Sequence, residues 1–359
     1  APSPLVPLPG LARALGVGAV LHKDEGARFE LMSFKALGGA HAVLTVLRDR
    51  AAAAGIALPP TPDLMTGALP EGLRGVTVAC ATDGNHGRSV AWGAQMFGFR
   101  CVIYLHANVS PTREREIARF GAEIRRVAGD YDESVRQCAE DAAASGWALV
   151  ADTSAGLDDA TIPGRVMQGY GLIVEEIAAQ MPRPPTHVFV PAAVGGLAAG
   201  LLATWWEMLG ADRPVMVAVE PVQANSIARS LAAGEMRAVT GEIDSFMACL
   251  ASGEVSPAAW PFLRDGLDAA IAIPDAAAAD AMRLLAQGQD GDPPLVAGES
   301  GAAATAALIA AMGDPAIRAA LGLGPDSRVV TIGSEGATDE ETYARVVGRP
   351  AREVAMSEV

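Results

Sequence analysis

Short Val- and Ile-rich runs recur along the chain, each followed by an alanine-rich stretch of helical length. The runs fall at 76–80, 101–105, 124–127, 149–151, 188–190, 215–219 and 329–332. Strands alternating with helices predict βα units, hence an α/β fold with mostly parallel sheets flanked by helices. Strands that are apolar without alternation are expected to be buried on both faces. Punctuation between the runs supports this. A helix opening within 82–87 should end at Gly98, and Ser110-Pro111-Thr112 should start another that stops at Gly121. Asp130 should cap a helix over 131–145, closed by Gly146. The stretch 51–75 and Pro182-Arg183-Pro184-Pro185 read as connections. No solenoid period is visible.

One run resembles a membrane span. Residues 184–206 contain no Asp, Glu, Lys or Arg, and the run is long enough to cross a bilayer. Pro184, Pro185, Pro191, Gly195, Gly196 and Gly200 interrupt it. A strand over 187–190, a glycine loop and a buried helix explain it better.

Composition narrows the function classes. With 359 residues, 50% of them hydrophobic and 19% charged, the chain can bury a large core, and disorder is excluded. Lys and Arg total 27 against 42 Asp and Glu, a net charge of −15. That argues against a nucleic-acid or anionic-membrane partner, which needs clustered basic residues. Cys80, Cys101, Cys138 and Cys249 form no C-x-x-C pair and have no histidine at a zinc-ligand spacing. They read as small buried thiols in a reducing cytosol, with no metal site. Residues 1–21 carry four prolines and no basic region before an apolar core, so they do not read as a signal peptide. The expected location is the cytoplasm.

Four segments could carry chemistry. Lys35 sits in apolar, helix-prone Ser33-Phe34-Lys35-Ala36-Leu37-Gly38-Gly39. A lone lysine there usually snorkels to solvent, whereas a desolvated amine suits a Schiff base. Thr82-Asp83-Gly84-Asn85-His86-Gly87 lies between a strand and a helix, where unpaired N–H groups can hold a carboxylate. As an ordinary turn and N-cap the same residues would also be at home. Ala192-Ala193-Val194-Gly195-Gly196-Leu197 is a small-residue loop entering a helix, which suits a phosphate, although tight packing would also favour small residues. Ser334 ends the last Val/Ile run, where ligands of parallel sheets bind. An amine, an anion loop and a strand-end hydroxyl together describe a pyridoxal-phosphate site.

Those segments resemble the fold-type II (tryptophan synthase β-like) pyridoxal-phosphate enzymes. The match is closer to the diaminopropionate ammonia-lyases than to threonine or serine dehydratases. The resembling phrases are Lys23-Asp24-Glu25, Arg28-Phe29, Phe34-Lys35-Ala36-Leu37-Gly38-Gly39, Ala81-Thr82-Asp83-Gly84-Asn85-His86-Gly87-Arg88 and Asp152-Thr153. Further ones are Ile162-Pro163, Met167-Gln168-Gly169-Tyr170, Val219-Glu220-Pro221, Gly298-Glu299-Ser300-Gly301 and Ser334-Glu335-Gly336. They follow one order along nearly the whole chain.

The resemblance implies roles. Lys35 would bind the cofactor covalently, with Phe34 beside it and Asn85 facing the ring hydroxyl. Ala192, Ala193, Val194, Gly195, Gly196 and Leu197 would hold the phosphate, and Ser334 would meet the pyridine nitrogen. Thr82, Asp83, Gly84 and His86 would bind substrate. Asp83 and Asp152 are the acidic pair implicated in handling both substrate enantiomers. A carboxylate would also pair with the extra ammonium of diaminopropionate, or take the Cα proton if burial raised its pKa. Asp83, Asp152 or Lys35 could be that base. The sequence departs from the family at Glu30-Leu31-Met32-Ser33, over 154–161, and at Ala193, which replaces a phosphate-loop glycine.

The implied reaction is an α,β-elimination converting 2,3-diaminopropionate to pyruvate and ammonia. A dehydratase of serine, threonine or 3-hydroxyaspartate is the alternative, as is a cofactor-binding protein without turnover. The resemblance implies a small amino-acid substrate and a homodimer. It also implies a large cofactor-binding domain of 1–47 and 164–359, a smaller inserted domain of 48–163, and the cofactor between them.

Overall fold

In the computed structural model, residues 1–82, 84–154, 160–241 and 243–356 are described. Ten strands form among them: β1 Leu5–Pro7, β2 Ala19–Asp24, β3 Thr77–Ala81, β4 Arg100–His106, β5 Glu123–Val127, β6 Ala148–Leu149, β7 His187–Pro191, β8 Val215–Pro221, β9 Ala269–Ile273 and β10 Arg328–Gly333. Every Val/Ile run read from the sequence is one of these strands. The chain folds as two compact units, Ala1–Phe34 with Gly171–Val359, and Lys35–Tyr170.

The first unit holds a six-stranded sheet in the order β1-β2-β10-β7-β8-β9. It is parallel except for β1, which runs antiparallel to β2. The long apolar run at 184–206 becomes β7, a glycine loop and the buried Gly196–Leu209 helix, as expected. Among the described residues no single helix is long and apolar enough to cross a membrane. Phe189, Val217, Val219 and Val329 from the sheet pack with Ala303, Ala304, Ala307 and Leu308 of the Ala303–Gly313 helix. The small side chains of that helix let it approach the sheet closely.

β2 was not read as a strand because its sequence ends in His22, Lys23 and Asp24, which look exposed. His22 and Lys23 are buried. Lys23 Nζ donates to Glu176 Oε2 (2.7 Å), the Ser3 carbonyl (2.8 Å) and Gln180 Oε1 (3.0 Å). Arg28 donates to both oxygens of Glu25 (2.9 and 2.8 Å) and both of Glu176 (2.7 and 2.6 Å), and to Ser3 Oγ (3.0 Å). A charge can be buried when its hydrogen-bonding capacity is met this fully. β9 reads Ala-Ala-Ile-Ala-Ile, a composition equally at home in a helix.

The second unit holds a four-stranded parallel sheet, β5-β4-β3-β6. Ala79, Val102 and Tyr104 pack there against Cys138 and Ala142 of the Tyr131–Ser145 helix. Asp130 caps that helix by accepting from the Glu133 N–H at 3.0 Å, and Gly146 ends it at φ 68°. Ser110 caps the Pro111–Ala118 helix in the same way, accepting from Arg113 N–H. β5 departs from the expectation of two buried faces. It is an edge strand, half-exposed, whose Arg125 reaches Asp141 and Glu123.

The sequence reading placed the inserted domain at 48–163, whereas the compact unit begins at Lys35 and ends at Tyr170. A single helix, Lys35–Ala54, explains the earlier start. It packs along the Asn85–Phe97 and Thr161–Tyr170 helices. The seam is made of small residues. A Cβ on Gly39 would lie 2.2 Å from Ser89 Oγ, and one on Gly93 2.8 Å from Ala40 Cα. On the other side, a Cβ on Gly38 would lie 2.5 Å from the Tyr170 ring, and one on Gly169 2.8 Å from the Leu37 carbonyl oxygen.

Candidate active site

The glycine seam puts the first residue of the Lys35–Ala54 helix against the C-terminal edge of the second unit's sheet. Lys35 Nζ pairs there with Asp152 Oδ2, both side chains about a fifth exposed. Asp152 stands three residues after β6, and the Val150 N–H ties that segment to the Ala79 carbonyl of β3 (2.8 Å). His86 approaches from the N-terminal turn of the Asn85–Phe97 helix, 5% exposed. Its Nε2 lies 2.9 Å from the Val150 carbonyl and its Nδ1 3.8 Å from Asp152 Oδ2. Burial alone would push the Asp152 carboxyl up. The charges of His86 and Lys35, with the Lys35 hydrogen bond, outweigh burial and hold it well below the ordinary carboxylate range.

The preceding turn is built by Thr82, whose hydroxyl accepts from the N–H groups of Gly84 and Gly87, each at 3.1 Å. Asn85 opens the helix and accepts from Arg88 Nη2 at 3.2 Å. Asp83, read as catalytic and substrate-binding, lies outside the described residues. Sequence reasoning missed two neighbours. Burial pushes the Tyr170 hydroxyl and the Cys80 thiol up in pKa, and both feel the charges of Lys35 and Asp152. Tyr170 lay in a resembling phrase without a role. Nothing in the sequence pointed to Cys80.

In the first unit, β7 runs through Ala192–Gly195 into the Gly196–Leu209 helix. Gly195 sits at φ 96°, and a Cβ there would lie 2.4 Å from Leu263 Cδ1, so only glycine fits. Among the described residues, the N–H groups of Gly196, Leu197 and Ala198 have no backbone partner, as the first turn of a helix leaves them. Ala192, Gly195, Gly196 and Leu197 are buried; Ala193 and Val194 are half-buried.

Ser334, buried, follows β10, and its carbonyl accepts from the Phe34 N–H at 3.1 Å. Ser33 bridges to Glu335, and the Gly336 N–H donates to the Met32 carbonyl (3.0 Å). The segment before Lys35 is thus clamped at Arg28 and again at 32–34. Between the clamps Phe29 and Met32 are held at φ 50° and 51°, left-handed values that cost a non-glycine residue about 1–3 kcal/mol each. Gly298 and Gly301 pack backbone to backbone on Glu335 and Gly336, so two resembling phrases meet in one place.

A family model described as "Pyridoxal-phosphate dependent enzyme" matches residues 1–335. The chain belongs to the pyridoxal-phosphate-dependent enzymes. It is 36% identical over 360 residues to the diaminopropionate ammonia-lyase of Escherichia coli (strain K12), an alignment covering 99% of this chain and 89% of that protein. The crystal structure of the Escherichia coli enzyme in complex with D-serine matches with a TM-score of 0.86 at 35% identity, covering 97% of this chain and 87% of the other. The same enzyme in complex with an aminoacrylate–PLP azomethine reaction intermediate matches with a TM-score of 0.85 at 35% identity, over the same shares.

The residues fit the family's cofactor. A partly exposed amine at Lys35 can reach an aldehyde. The loop at Gly195 excludes a Cβ and leaves first-turn amides for a phosphate, which needs no basic side chain. Ser334 supplies a hydroxyl at a strand end. Of the four cysteines, all free thiols, Cys80, Cys101 and Cys138 are buried as expected. Cys249 is exposed instead, and lies 3.4 Å from Glu335 Oε2.

Proposed function

We propose that this enzyme is an ammonia-lyase that converts 2,3-diaminopropionate and one water to pyruvate and two ammonia. The observation that carries this reading is the pairing of Lys35 with the ionised Asp152 carboxylate. Asp152 already binds one ammonium. With Lys35 engaged by the cofactor, the carboxylate would be matched to the second ammonium of a diamino acid. A hydroxyl in the same place would offer it far less. The near full-length likeness to diaminopropionate ammonia-lyases supports the same substrate.

Pyridoxal phosphate, when bound, supplies the electron sink for the pair left at Cα. This chain's residues do the rest. Lys35 carries the reactive amine and returns as a proton carrier. Beside the charges of His86 and Lys35, Asp152 is held ionised and is a good cation partner; the Cα proton falls to Lys35, Asp83 or Asp152. The amides from Ala193 to Leu197 would hold the phosphate, while the Ala192 N–H already donates to the Val219 carbonyl (2.8 Å); Asn85 would face the ring hydroxyl, Phe34 would flank it, and Ser334 would meet the ring nitrogen. Thr82, Gly84 and His86 shape the turn that receives the substrate carboxylate. The β-amino group leaves as ammonia, and the released enamine hydrolyses in water.

The same reading makes the enzyme a cytoplasmic homodimer, supported by its resemblance to a commonly dimeric family; light scattering tests the mass. D-Serine bound to the Escherichia coli relative favours one second reading, a dehydratase. A panel of D- and L-diaminopropionate, serine, threonine and 3-hydroxyaspartate decides between them, run on wild type, Asp83→Ala and Asp152→Ala. Diaminopropionate should turn over fastest and should lose most in Asp152→Ala. Inert diaminopropionate beside a fast hydroxy acid makes the enzyme a dehydratase. No turnover of any substrate, with the cofactor bound, makes it a binding protein.

A further inference from the structure

We infer that His86 is a positioning residue that supplies Asp152 with a second positive partner, one that stays when Lys35 turns to the cofactor. The inference rests on the proposed exchange of ammonium groups at Asp152. The geometry begins at Val150, whose carbonyl can only accept. Its contact with Nε2 therefore assigns the N–H of the neutral ring to Nε2. Nδ1 becomes the nitrogen that takes up or loses a proton, and it faces Asp152 Oδ2 at 3.8 Å, ion-pair distance without a hydrogen bond. Lys35 pairs with that same oxygen. One carboxylate oxygen thus faces the Lys35 amine and the His86 ring from two different helices.

Lys35 and His86 differ in what the reaction does to them. When Lys35 Nζ engages the cofactor, it would leave its place beside Asp152. His86 takes no covalent part, and its ring is fixed by Val150. Among the described residues, Tyr170, on the Thr161–Tyr170 helix, and Cys80, on β3, also feel the Asp152 charge. Burial holds both neutral, so they add no positive charge. Asp83 lies outside the described residues. With Lys35 bonded, a protonated Nδ1 keeps Asp152 ionised until the substrate ammonium arrives. Without it, the buried carboxyl would drift towards its neutral form, which has little attraction for that ammonium.

The test uses the full-length holoenzyme. The chain has five histidines, so 15N-histidine spectra can be assigned by comparison with His86→Gln. In wild type, Nε2 of His86 should stay protonated across the titration while Nδ1 titrates. In Asp152→Asn the Nδ1 midpoint should fall by about one pH unit, because an opposite charge has been removed. An unchanged midpoint overturns the inference whatever the substrate proves to be. A substrate panel that favours a hydroxy acid, beside a shifted midpoint, overturns the proposed substrate and leaves the His86–Asp152 link standing. In turnover, His86→Gln should raise KM for diaminopropionate roughly tenfold at neutral pH and change kcat much less. The glutamine keeps a donor for Val150 but carries no charge, so wild-type KM in a folded His86→Gln enzyme would show that the ring acts only as a spacer.

Discussion

The enzyme holds two lysine–carboxylate clusters, and they are built in opposite ways. Lys23 is fully buried and spends its three protons on Glu176, Gln180 and the Ser3 carbonyl. Around it, Arg28, Glu25, Glu176 and Ser3 close a hydrogen-bonded net whose partners lie 3, 22, 25 and 148 residues apart along the chain. Lys35 is 23% exposed, pairs with a carboxylate that is itself 19% exposed, and shares it with an imidazole at ion-pair distance. The first arrangement leaves nothing to exchange. The second leaves an amine that can trade one partner for another. Saturation and exposure separate these two lysines in the structure.

Four changes break or sharpen this contrast. The largest effect belongs to Lys35→Ala, which should lower turnover by on the order of a thousandfold or more and abolish the visible absorbance of the lysine-bound cofactor. The fold should survive, and a Lys35→Ala protein that keeps the band would erase the distinction between the lysines. Arg28→Met should act on stability instead. It strands Glu25 and Glu176 in the interior, at a cost of about 3–5 kcal/mol in denaturant unfolding. A loss under about 1 kcal/mol would mean that the net is not a structural anchor.

Acid gives a smaller effect with a definite sign. Burial pulls the Glu176 carboxyl up, but hydrogen bonds from Arg28 and Lys23 more than offset it, so its folded pKa lies below the ordinary value. Its stabilisation is therefore complete above the ordinary glutamate range and is lost as pH falls through the lower folded value. Between about pH 5 and pH 3, wild-type stability should fall more steeply than that of Glu176→Gln. Parallel curves would remove Glu176 from the account. The smallest effect is expected from Ser3→Ala. It deletes the hydroxyl that donates to Glu25 and accepts from Arg28, costing about 1–3 kcal/mol while kcat stays unchanged.

The same contrast explains what could be read in advance. Lys35 stood out because Phe34, Ala36 and Leu37 around it are apolar and the glycines follow. The Gly195 loop was legible because a strand, small residues and a helix come in unbroken order. β10 and β7 were legible because continuous Val and Ile runs have few other uses. Lys23 and Arg28 were noticed only as resembling phrases. Their partner Glu176 lies 153 and 148 residues away, and no local pattern announces a net closed over that distance. The orientation of His86 was hidden for a similar reason. It depends on the Val150 carbonyl, a backbone atom that carries no sequence signature. The compact unit starts earlier than the expected domain because a continuous helix and a linker share the alanine-rich composition of 48–54.

The seam of Gly38, Gly39, Gly93 and Gly169 has a consequence for laboratory evolution. None of these four residues carries a functional group, yet each would drive an added methyl into backbone or a packed side chain. In a saturation-mutagenesis library they should behave as intolerant positions, scoring beside Lys35 itself. Retargeting this enzyme to a new amino acid therefore has to leave the helix seam alone and vary the turn and strand-end residues that it supports.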